Sequence, residues 1–190
     1  MAARADTLPD SCKLTYADYV TLPDDGRRYE ILDGELAVSP SPTSRHQLVS
    51  HNLDYALSSW VRAHGLGRMW HAPLDLILAD TVVVQPDIIY VSKSRSAIVS
   101  RRGLEAAPDL VIEILSESTA ARDRGVKMRI YPRHGIPRYW IVDPEVRMLE
   151  VYSLRDGSYE CTSSKRDGDA LAVDVPEGFA IDLAELWRED

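Results

Sequence analysis

The hydrophobic pattern predicts one long amphipathic helix followed by several extended segments. Between about His46 and Ala63, apolar residues recur at three- and four-residue steps, which is the spacing of one buried helix face. Ser44 is available as an N-cap, and Gly65 follows the end of the pattern. Three segments rich in Val, Ile and Leu come next, and they predict strands that are covered on both faces. These segments are Met69–Ala79, Val82–Val91 and Asp109–Leu115.

A second helix and a fourth strand complete the predicted core. The helix runs from Ser116 to about Tyr131, because Pro132 lacks the backbone N–H that the next helical hydrogen bond requires. Tyr139–Val142 then predicts a short buried strand that the turn residues Asp143 and Pro144 close. The core order is therefore helix, strand, strand, strand, helix, strand, which is an α/β arrangement.

Shorter elements flank this core on both sides. Asp33-Gly34 lies between two strand-like runs and predicts a β-hairpin, and a second hairpin with a docking tail is predicted near the C-terminus. We expect a single domain over residues 1–190, with one core and two flanking parts. These are an N-terminal helix and hairpin over 14–45, the core over 46–144, and a C-terminal β extension over 145–190.

Composition narrows the class of protein. The 190 residues are 45% hydrophobic and carry a net charge of −8, so a globular chain is expected, and its bulk charge disfavours coating DNA or an anionic membrane. Neither an apolar leader nor a membrane-spanning stretch is visible, which predicts a cytoplasmic protein without a membrane partner. Cys12 and Cys161 have no metal-binding spacing and are expected to be reduced thiols.

The charge is unevenly distributed along the chain. Between Lys93 and Arg138 there are ten Lys or Arg residues against five Asp or Glu, and this basic zone includes Arg122 and Arg124. Such a zone is what phosphate contacts require, although a solvated helix face and a charged loop would have the same composition. From Asp143 onward, 13 acids face 5 bases, and this acidic segment either caps the core or faces the second subunit of a homodimer.

Two carboxylates stand out because they interrupt apolar strands. Asp87 lies in VVVQPDIIYV and Glu113 lies in DLVIEILS. A carboxylate in such a strand is costly to bury unless it is paired, binds a metal or faces a cleft. Strand parity lets the two side chains converge if the strands are neighbours. Each acid alone could instead lie at a strand end and bind a loop or an arginine, but the pair favours a functional site.

Lys127 lies four residues after Asp123 on the second predicted helix, so the two share a helix face. Taken alone, this spacing indicates an ordinary surface salt bridge. The helix follows the Glu113 strand and must pack back on the sheet, so Lys127 is also able to reach the carboxylates.

The ordered set of these segments resembles the PD-(D/E)XK nuclease superfamily and, more narrowly, the Uma-type family of restriction endonucleases. The resemblance runs from about Leu14 to Tyr159, and single pieces such as Pro86-Asp87 would be uninformative alone. The segments that carry it are Tyr29–Leu36, Ser39–Pro42, Gln85–Asp87, Val111–Ser116 and Gly135–Pro144. The resemblance implies a restriction-endonuclease-like core, with a mixed central sheet flanked by helices.

The resemblance also implies metal-dependent hydrolysis of phosphodiester bonds in nucleic acid, with DNA as the expected substrate. Asp87, Glu113 and the backbone carbonyl of Ile114 would bind Mg²⁺ or Mn²⁺. The superfamily pattern places a lysine at the position of Leu115, so Lys127 from the following helix is the expected replacement. A further acid is expected from Glu35 or, second, Glu30. Substrate-binding candidates are His46, Gln47, Arg122 and Arg124.

Two other functions compete with this interpretation. The displaced lysine and the absence of a glutamate in the first core helix also fit a catalytically degenerate nucleic-acid-binding or regulatory protein on the same fold. A small-molecule hydrolase with His46 or His71 as base is disfavoured, because neither has a GxSxG elbow or a placed Cys partner.

Overall fold

The computed structural model describes residues 13–189. Its helical segments are α1 (Tyr16–Tyr19), α2 (Ser44–Ala63), a 3-10 helix (Lys93–Ile98), α3 (Ala120–Arg122), a π-helical turn (Asp123–Lys127), α4 (Met128–Arg133) and a second 3-10 helix (Leu183–Trp187). The strands before the second helical region are β1 (Arg28–Leu32), β2 (Glu35–Ser39), β3 (Gly67–His71), β4 (Leu76–Ala79), β5 (Val82–Val84), β6 (Ile88–Ser92) and β7 (Leu110–Ile114). The later strands are β8 (Arg138–Asp143), β9 (Met148–Arg155), β10 (Ser158–Arg166), β11 (Ala170–Ala172) and β12 (Ala180–Asp182).

A six-stranded mixed sheet forms the centre of the fold. Its strand order is β10-β9-β8-β7-β6-β3, and β7 and β8 run parallel while the other neighbours are antiparallel. Helix α2, strands β3, β6 and β7, helices α3 and α4, and strand β8 follow one another along the chain. The predicted core order and the predicted mixed sheet are thereby confirmed.

Helix α2 covers one face of this sheet through the apolar stripe that its sequence predicted. Val49, Leu53 and Leu57 pack in one cluster with Ile112 and Trp140. The helix begins two residues before the expected start, and its N-cap is Thr43 rather than Ser44. The Thr43 hydroxyl accepts the backbone N–H of His46 at 3.2 Å, which satisfies one of the unpaired donors at the helix start.

The N-terminal hairpin forms as predicted and belongs to a second sheet. Asp33 and Gly34 both have positive φ, 55° and 89°, as a two-residue type I′ turn requires. The second sheet has the order β2-β1-β5-β4. Leu32 of β1 and Val84 of β5 share an apolar cluster with residues of β6 and β7, so this sheet covers the face opposite α2.

Two of the predicted strands were too long, and each is divided between the two sheets. Met69–Ala79 becomes β3 and β4, and Val82–Val91 becomes β5 and β6. Pro73 and Pro86 lie at the two breaks, where proline supplies no N–H to a strand ladder. The chain therefore crosses twice between the sheets, and the second crossing ends at Asp87.

The second predicted helix forms as three short pieces instead of one continuous helix. It is interrupted by the π-helical turn Asp123–Lys127, and π-helical turns within helices occur frequently at functional sites. The last piece extends to Arg133, past the expected end at Tyr131, and it includes Pro132 in its final turn.

The C-terminal segment caps the core. β9 and β10 form the expected hairpin, and Leu171, Phe179 and Leu183 pack into the same cluster as α2. Of the two alternatives for this segment, the structure favours the cap. Within residues 13–189, no helix is both long and apolar enough to cross a membrane. Cys161 is a free, exposed thiol, while Cys12 lies outside the described residues.

Candidate active site

Asp87 and Glu113 lie next to each other on neighbouring strands. β6 and β7 pair antiparallel with Ile88 opposite Ile112, so the next position of the register places Asp87 opposite Glu113. The backbone N–H of Ile114 donates to Oδ2 of Asp87 at 2.8 Å, which joins the Asp87 carboxylate to β7. The two residues are only 4% and 2% exposed. The strand adjacency that the hypothesis required is therefore present.

Arg28, His46 and a backbone N–H surround the Asp87 carboxylate. Arg28 Nη1 lies 2.9 Å from Oδ1, and His46 Nε2 lies 3.1 Å from Oδ2. Burial alone would raise the pKa of Asp87. The hydrogen bond and charge of His46, the charge of Arg28 and the Ile114 N–H outweigh burial and lower that pKa to about 2. Asp87 is therefore held as a carboxylate throughout the neutral range.

Glu113 points toward the π-helical turn and α4. Lys127 Nζ lies 2.9 Å from Oε1 of Glu113, and the Tyr131 hydroxyl donates to the same oxygen at 2.7 Å. The sequence spacing allowed two interpretations of Lys127, a surface salt bridge or contact with the carboxylates. The surface salt bridge is wrong, because the lysine is fully buried against the carboxylates.

Lys127 is shared by three buried carboxylates. Its Nζ lies 3.1 Å from Oε1 of Glu30 and 3.2 Å from Oδ1 of Asp123, in addition to Glu113. Burial disfavours the ammonium, but these three acids raise the pKa of Lys127 well above its usual range. Lys127 is consequently a fixed positive charge. We refer to Glu30, Glu113, Asp123 and Lys127 as the lysine cluster.

The carboxyl groups of the lysine cluster outnumber its ammonium by three to one. Burial and the neighbouring Asp123, Asp87 and Glu30 together raise the pKa of Glu113 to about 8, against the lowering effect of Lys127. Arg122 Nε lies 3.7 Å from Oε2 of Glu30 and supplies a weaker second cation. Ionisation of Glu113 would place three carboxylates around one ammonium, and an additional cation would offset that surplus of negative charge.

Glu35 lies outside the lysine cluster, whereas Glu30, the second candidate, belongs to it. Glu35 is exposed on β2, directly after the hairpin turn, whereas Glu30 is buried on β1 and accepts the backbone N–H of Gln85 at 3.0 Å. Arg28, Glu30 and Leu32 alternate on one face of β1, and this face points at the six-stranded sheet. That alternation is the signal that could have identified both Glu30 and Arg28.

The four predicted substrate-binding residues separate into two groups. His46 bonds Asp87, and Gln47 lines a cavity of about 220 Å³ beside it. Arg122 donates to the Ser39 hydroxyl at 2.5 Å, next to the lysine cluster. Arg124 lies elsewhere, because it pairs with Glu150 at 2.5 Å and approaches Asp143 of β8 at 3.9 Å. The structure thus brings three of the four toward the site and excludes Arg124.

The predicted basic zone is largely neutralised by ion pairs. Arg124 and Arg138 pair with Glu150 and Asp174, which belong to the acidic C-terminal segment. Seven of the ten cations of the zone have an acidic partner: Arg95, Arg102, Arg122, Arg124, Lys127, Arg133 and Arg138. The zone is therefore not a continuous basic surface, because folding brings distant acids onto it.

A larger cavity opens beside Asp87. It encloses about 450 Å³ and is lined by Arg28, His46 and hydroxyl side chains of the loops before α2 and after β7. These loops are Ser39–Thr43 and Ser116–Thr119. The Ser116 hydroxyl bonds Ser118 and Thr119, and His71 is exposed with Nδ1 3.4 Å from the Ala72 carbonyl, so neither supports the histidine hydrolase alternative.

The donor set suits a hard divalent cation in its chemistry. Carboxylate oxygens of Asp87 and Glu113 are the ligand type that Mg²⁺ and Mn²⁺ prefer, and a cation would favour the ionised form of Glu113. Within residues 13–189, however, no group of three or more His, Cys, Asp or Glu side chains is arranged to hold a metal ion. Metal binding would therefore require Asp87 to give up part of its contact with Arg28 or His46.

The same fold occurs in a solved structure of another protein. A structure from Anabaena variabilis, described as "a putative nuclease belonging to DUF820", matches with a TM-score of 0.74 at 20% sequence identity, covering 92% of this chain and 97% of that one. The family model described as "Uma2: Putative restriction endonuclease" matches residues 16–184. The chain belongs to this family, and that membership classes it with nucleases. No curated protein matches the chain.

Proposed function

We propose that this protein is a divalent-metal-dependent endonuclease that hydrolyses phosphodiester bonds of nucleic acid, with DNA as the expected substrate. Family membership supports a nuclease. The observation that carries the proposal is the juxtaposition of Asp87, directly before β6, with Glu113 of β7, to which Lys127 donates. A PD-(D/E)XK-type site combines these residue types, and in this proposal Lys127 of the π-helical turn would supply the lysine instead of position 115.

Asp87, Glu113 and the Ile114 carbonyl would hold the ion, Mg²⁺ first and Mn²⁺ as a substitute. When bound, such an ion lowers the pKa of a coordinated water and offsets negative charge on the phosphate. The chain itself prepares this site, because Arg28, His46 and the Ile114 N–H keep Asp87 ionised. Ionisation of Glu113 requires release of a proton that its surroundings retain up to about pH 8.

Lys127 would act as a fixed positive charge and not as a base. Its ammonium faces three carboxylates, which raise its pKa well above the usual range and disfavour proton loss. A fixed ammonium stabilises the charge that develops on a phosphate during hydrolysis. Arg28 and His46 line the cavity next to Asp87, where they would contact the substrate phosphates.

The decisive experiment measures cleavage of supercoiled, linear and single-stranded DNA and of RNA, with Mg²⁺ or Mn²⁺ and with EDTA. Asp87→Asn and Glu113→Gln should each reduce cleavage by about a hundredfold or more, on the order of the loss of a charged catalytic group. Asp156→Asn, at an exposed hairpin turn with φ 46°, is the matched control and should cleave like wild type. Full activity of the Asp87/Glu113 double variant would overturn the proposal.

A catalytically degenerate nucleic-acid-binding protein is the second candidate. It is favoured by the occupied Asp87 carboxylate, whose two oxygens already contact Arg28, His46 and the Ile114 N–H. Thermal melting with Mn²⁺ distinguishes the two. A competent site should be stabilised by the metal, and Asp87→Asn should remove that stabilisation. A wild-type melting temperature that does not respond to Mg²⁺ or Mn²⁺ favours the degenerate protein.

A further inference from the structure

Three exposed cations line a groove at one edge of the six-stranded sheet. The groove encloses about 570 Å³ between α2 and the edge strand β3, and its cations are Arg62, Arg68 and Lys93. None of the described residues that line it is acidic. None of the three cations has an ion pair within residues 13–189, in contrast to most cations of the basic zone. On a chain with net charge −8, this groove is a local positive surface.

The groove also contains hydrogen-bonding groups that lack a partner. Among the described strands, β3 pairs with β6 alone, so the outer edge of β3 presents unpaired backbone groups. The backbone N–H groups of this edge are hydrogen-bond donors, and phosphate oxygens are acceptors that also match the three cations.

A path along α2 connects this groove to the candidate active site. Residues on one face of α2 line first the cavity of about 220 Å³ that Asp87 lines and then the groove. They are Gln47, Ser50, His51, Asp54, Ser58 and Arg62. On β3, His71 lines the cavity and Gly67–Trp70 line the groove. Apart from Asp87, Asp54 is the one acid that the described linings of this path contain, and it accepts the Ser58 hydroxyl at 3.1 Å.

We propose that this groove binds the phosphodiester backbone of the nucleic acid as it runs from Asp87 along α2 and β3 to Arg62, Arg68 and Lys93. The inference rests on the proposed function, because the strand enters at the candidate active site. From Gln47 to Arg62 the helix rises about 22 Å, at roughly 1.5 Å per residue. At about 3.4 Å per nucleotide along one strand, this length corresponds to roughly six nucleotides on one side of the cut.

The alternative occupant of the β3 edge is a second copy of the chain. Antiparallel pairing of two β3 strands would bring two sets of Arg62, Arg68 and Lys93 together. Like charges that face each other across paired strands are destabilising. Charge complementarity therefore favours a polyanion over a second copy.

The test measures binding without cleavage. Fluorescence anisotropy in EDTA records the affinity of the wild-type protein for labelled single-stranded and duplex DNA at several salt concentrations. The groove variant is Arg62→Gln/Arg68→Gln/Lys93→Gln. The matched control is Arg155→Gln/Lys165→Gln/Arg166→Gln, which removes the same charge from β9 and β10 at the other edge of the sheet.

The groove variant should bind about tenfold or more weakly than the control, and its salt slope should fall by about 0.9 for each lost phosphate contact. Wild-type affinity should also drop once the DNA is shorter than about six nucleotides. Equal affinities of the groove variant and the control overturn the inference. So does a wild-type dimer in sedimentation that the groove substitutions dissociate without a change in DNA affinity.

Parallel cleavage assays with Mg²⁺ separate this inference from the proposed function. If the wild-type protein cleaves DNA and the groove variant binds DNA as tightly as the wild type, the groove inference is wrong and the proposed function stands. Wild-type protein that binds through the groove but never cleaves overturns the proposed function and supports the groove.

Discussion

Asp87 and Glu113 lie opposite each other on neighbouring strands, but their surroundings shift their pKa values in opposite directions. Asp87 has Arg28, His46 and a backbone N–H for a single carboxylate, and its pKa falls to about 2. Glu113 shares one ammonium with Glu30 and Asp123, and its pKa rises to about 8. At equal burial, the number of positive groups per carboxylate decides which acid is ionised. An additional cation would therefore stabilise the ionised form of Glu113 more than that of Asp87.

The largest effect on stability is expected from removal of Lys127. Lys127→Met leaves Glu30, Glu113 and Asp123 buried together without their shared ammonium. Breaking a buried ion pair from one side costs about 3–5 kcal/mol, so the melting temperature should fall by roughly 6–20 °C in a chain of this size. Lys165→Met, on the outer strand β10, is the control and should change stability by less than about 0.5 kcal/mol. Equal losses for the two variants would show that the lysine cluster does not stabilise the fold.

The opposite pKa shifts predict opposite pH dependences in EDTA. Between about pH 5 and pH 8, folded Glu113 retains a proton that the unfolded chain releases, so wild-type stability relative to Glu113→Gln should fall as pH rises. The ionised Asp87 contributes stability above its ordinary pKa of 3.8, and this contribution should be lost as pH falls toward 2. Melting temperatures of wild type, Glu113→Gln and Asp87→Asn from about pH 3 to about pH 9 test both signs. If the melting temperatures of the three proteins changed with pH in the same way, the opposite pKa shifts of Asp87 and Glu113 would be refuted.

The smallest effects are expected from substitution of the two glutamates of the hairpin, and they should differ between Glu30 and Glu35. Glu30→Gln weakens one charged contact of Lys127 and should destabilise the protein by about 1.5–3 kcal/mol, with reduced cleavage. Glu35→Gln changes an exposed side chain and should leave both properties unchanged. Urea unfolding and the cleavage assay provide the two readouts. A stronger effect at Glu35 than at Glu30 would reverse the assignment made from the structure.

Much of the fold was predictable because its signals are local. The apolar stripe of α2 and the Asp33-Gly34 turn each depend on residues within a few positions of one another. The candidate pair Asp87 and Glu113 was also visible, since an acid within an apolar strand is unusual regardless of its partner. The division of two predicted strands at Pro73 and Pro86 was missed, because a chain that crosses between sheets keeps the same apolar composition on both sides.

The sequence by itself determined the core order, the family resemblance and the identity of the acids that interrupt the strands, because these depend on residue type and spacing. Only the tertiary structure decided which charges meet. Glu30 and not Glu35 belongs to the lysine cluster, Lys127 is buried instead of exposed, and acids distant in sequence pair with several cations of the basic zone. The physical reason is that electrostatic energy depends on distance in space and on burial. Residues 59 positions apart, such as Arg28 and Asp87, become partners only after the two sheets have packed.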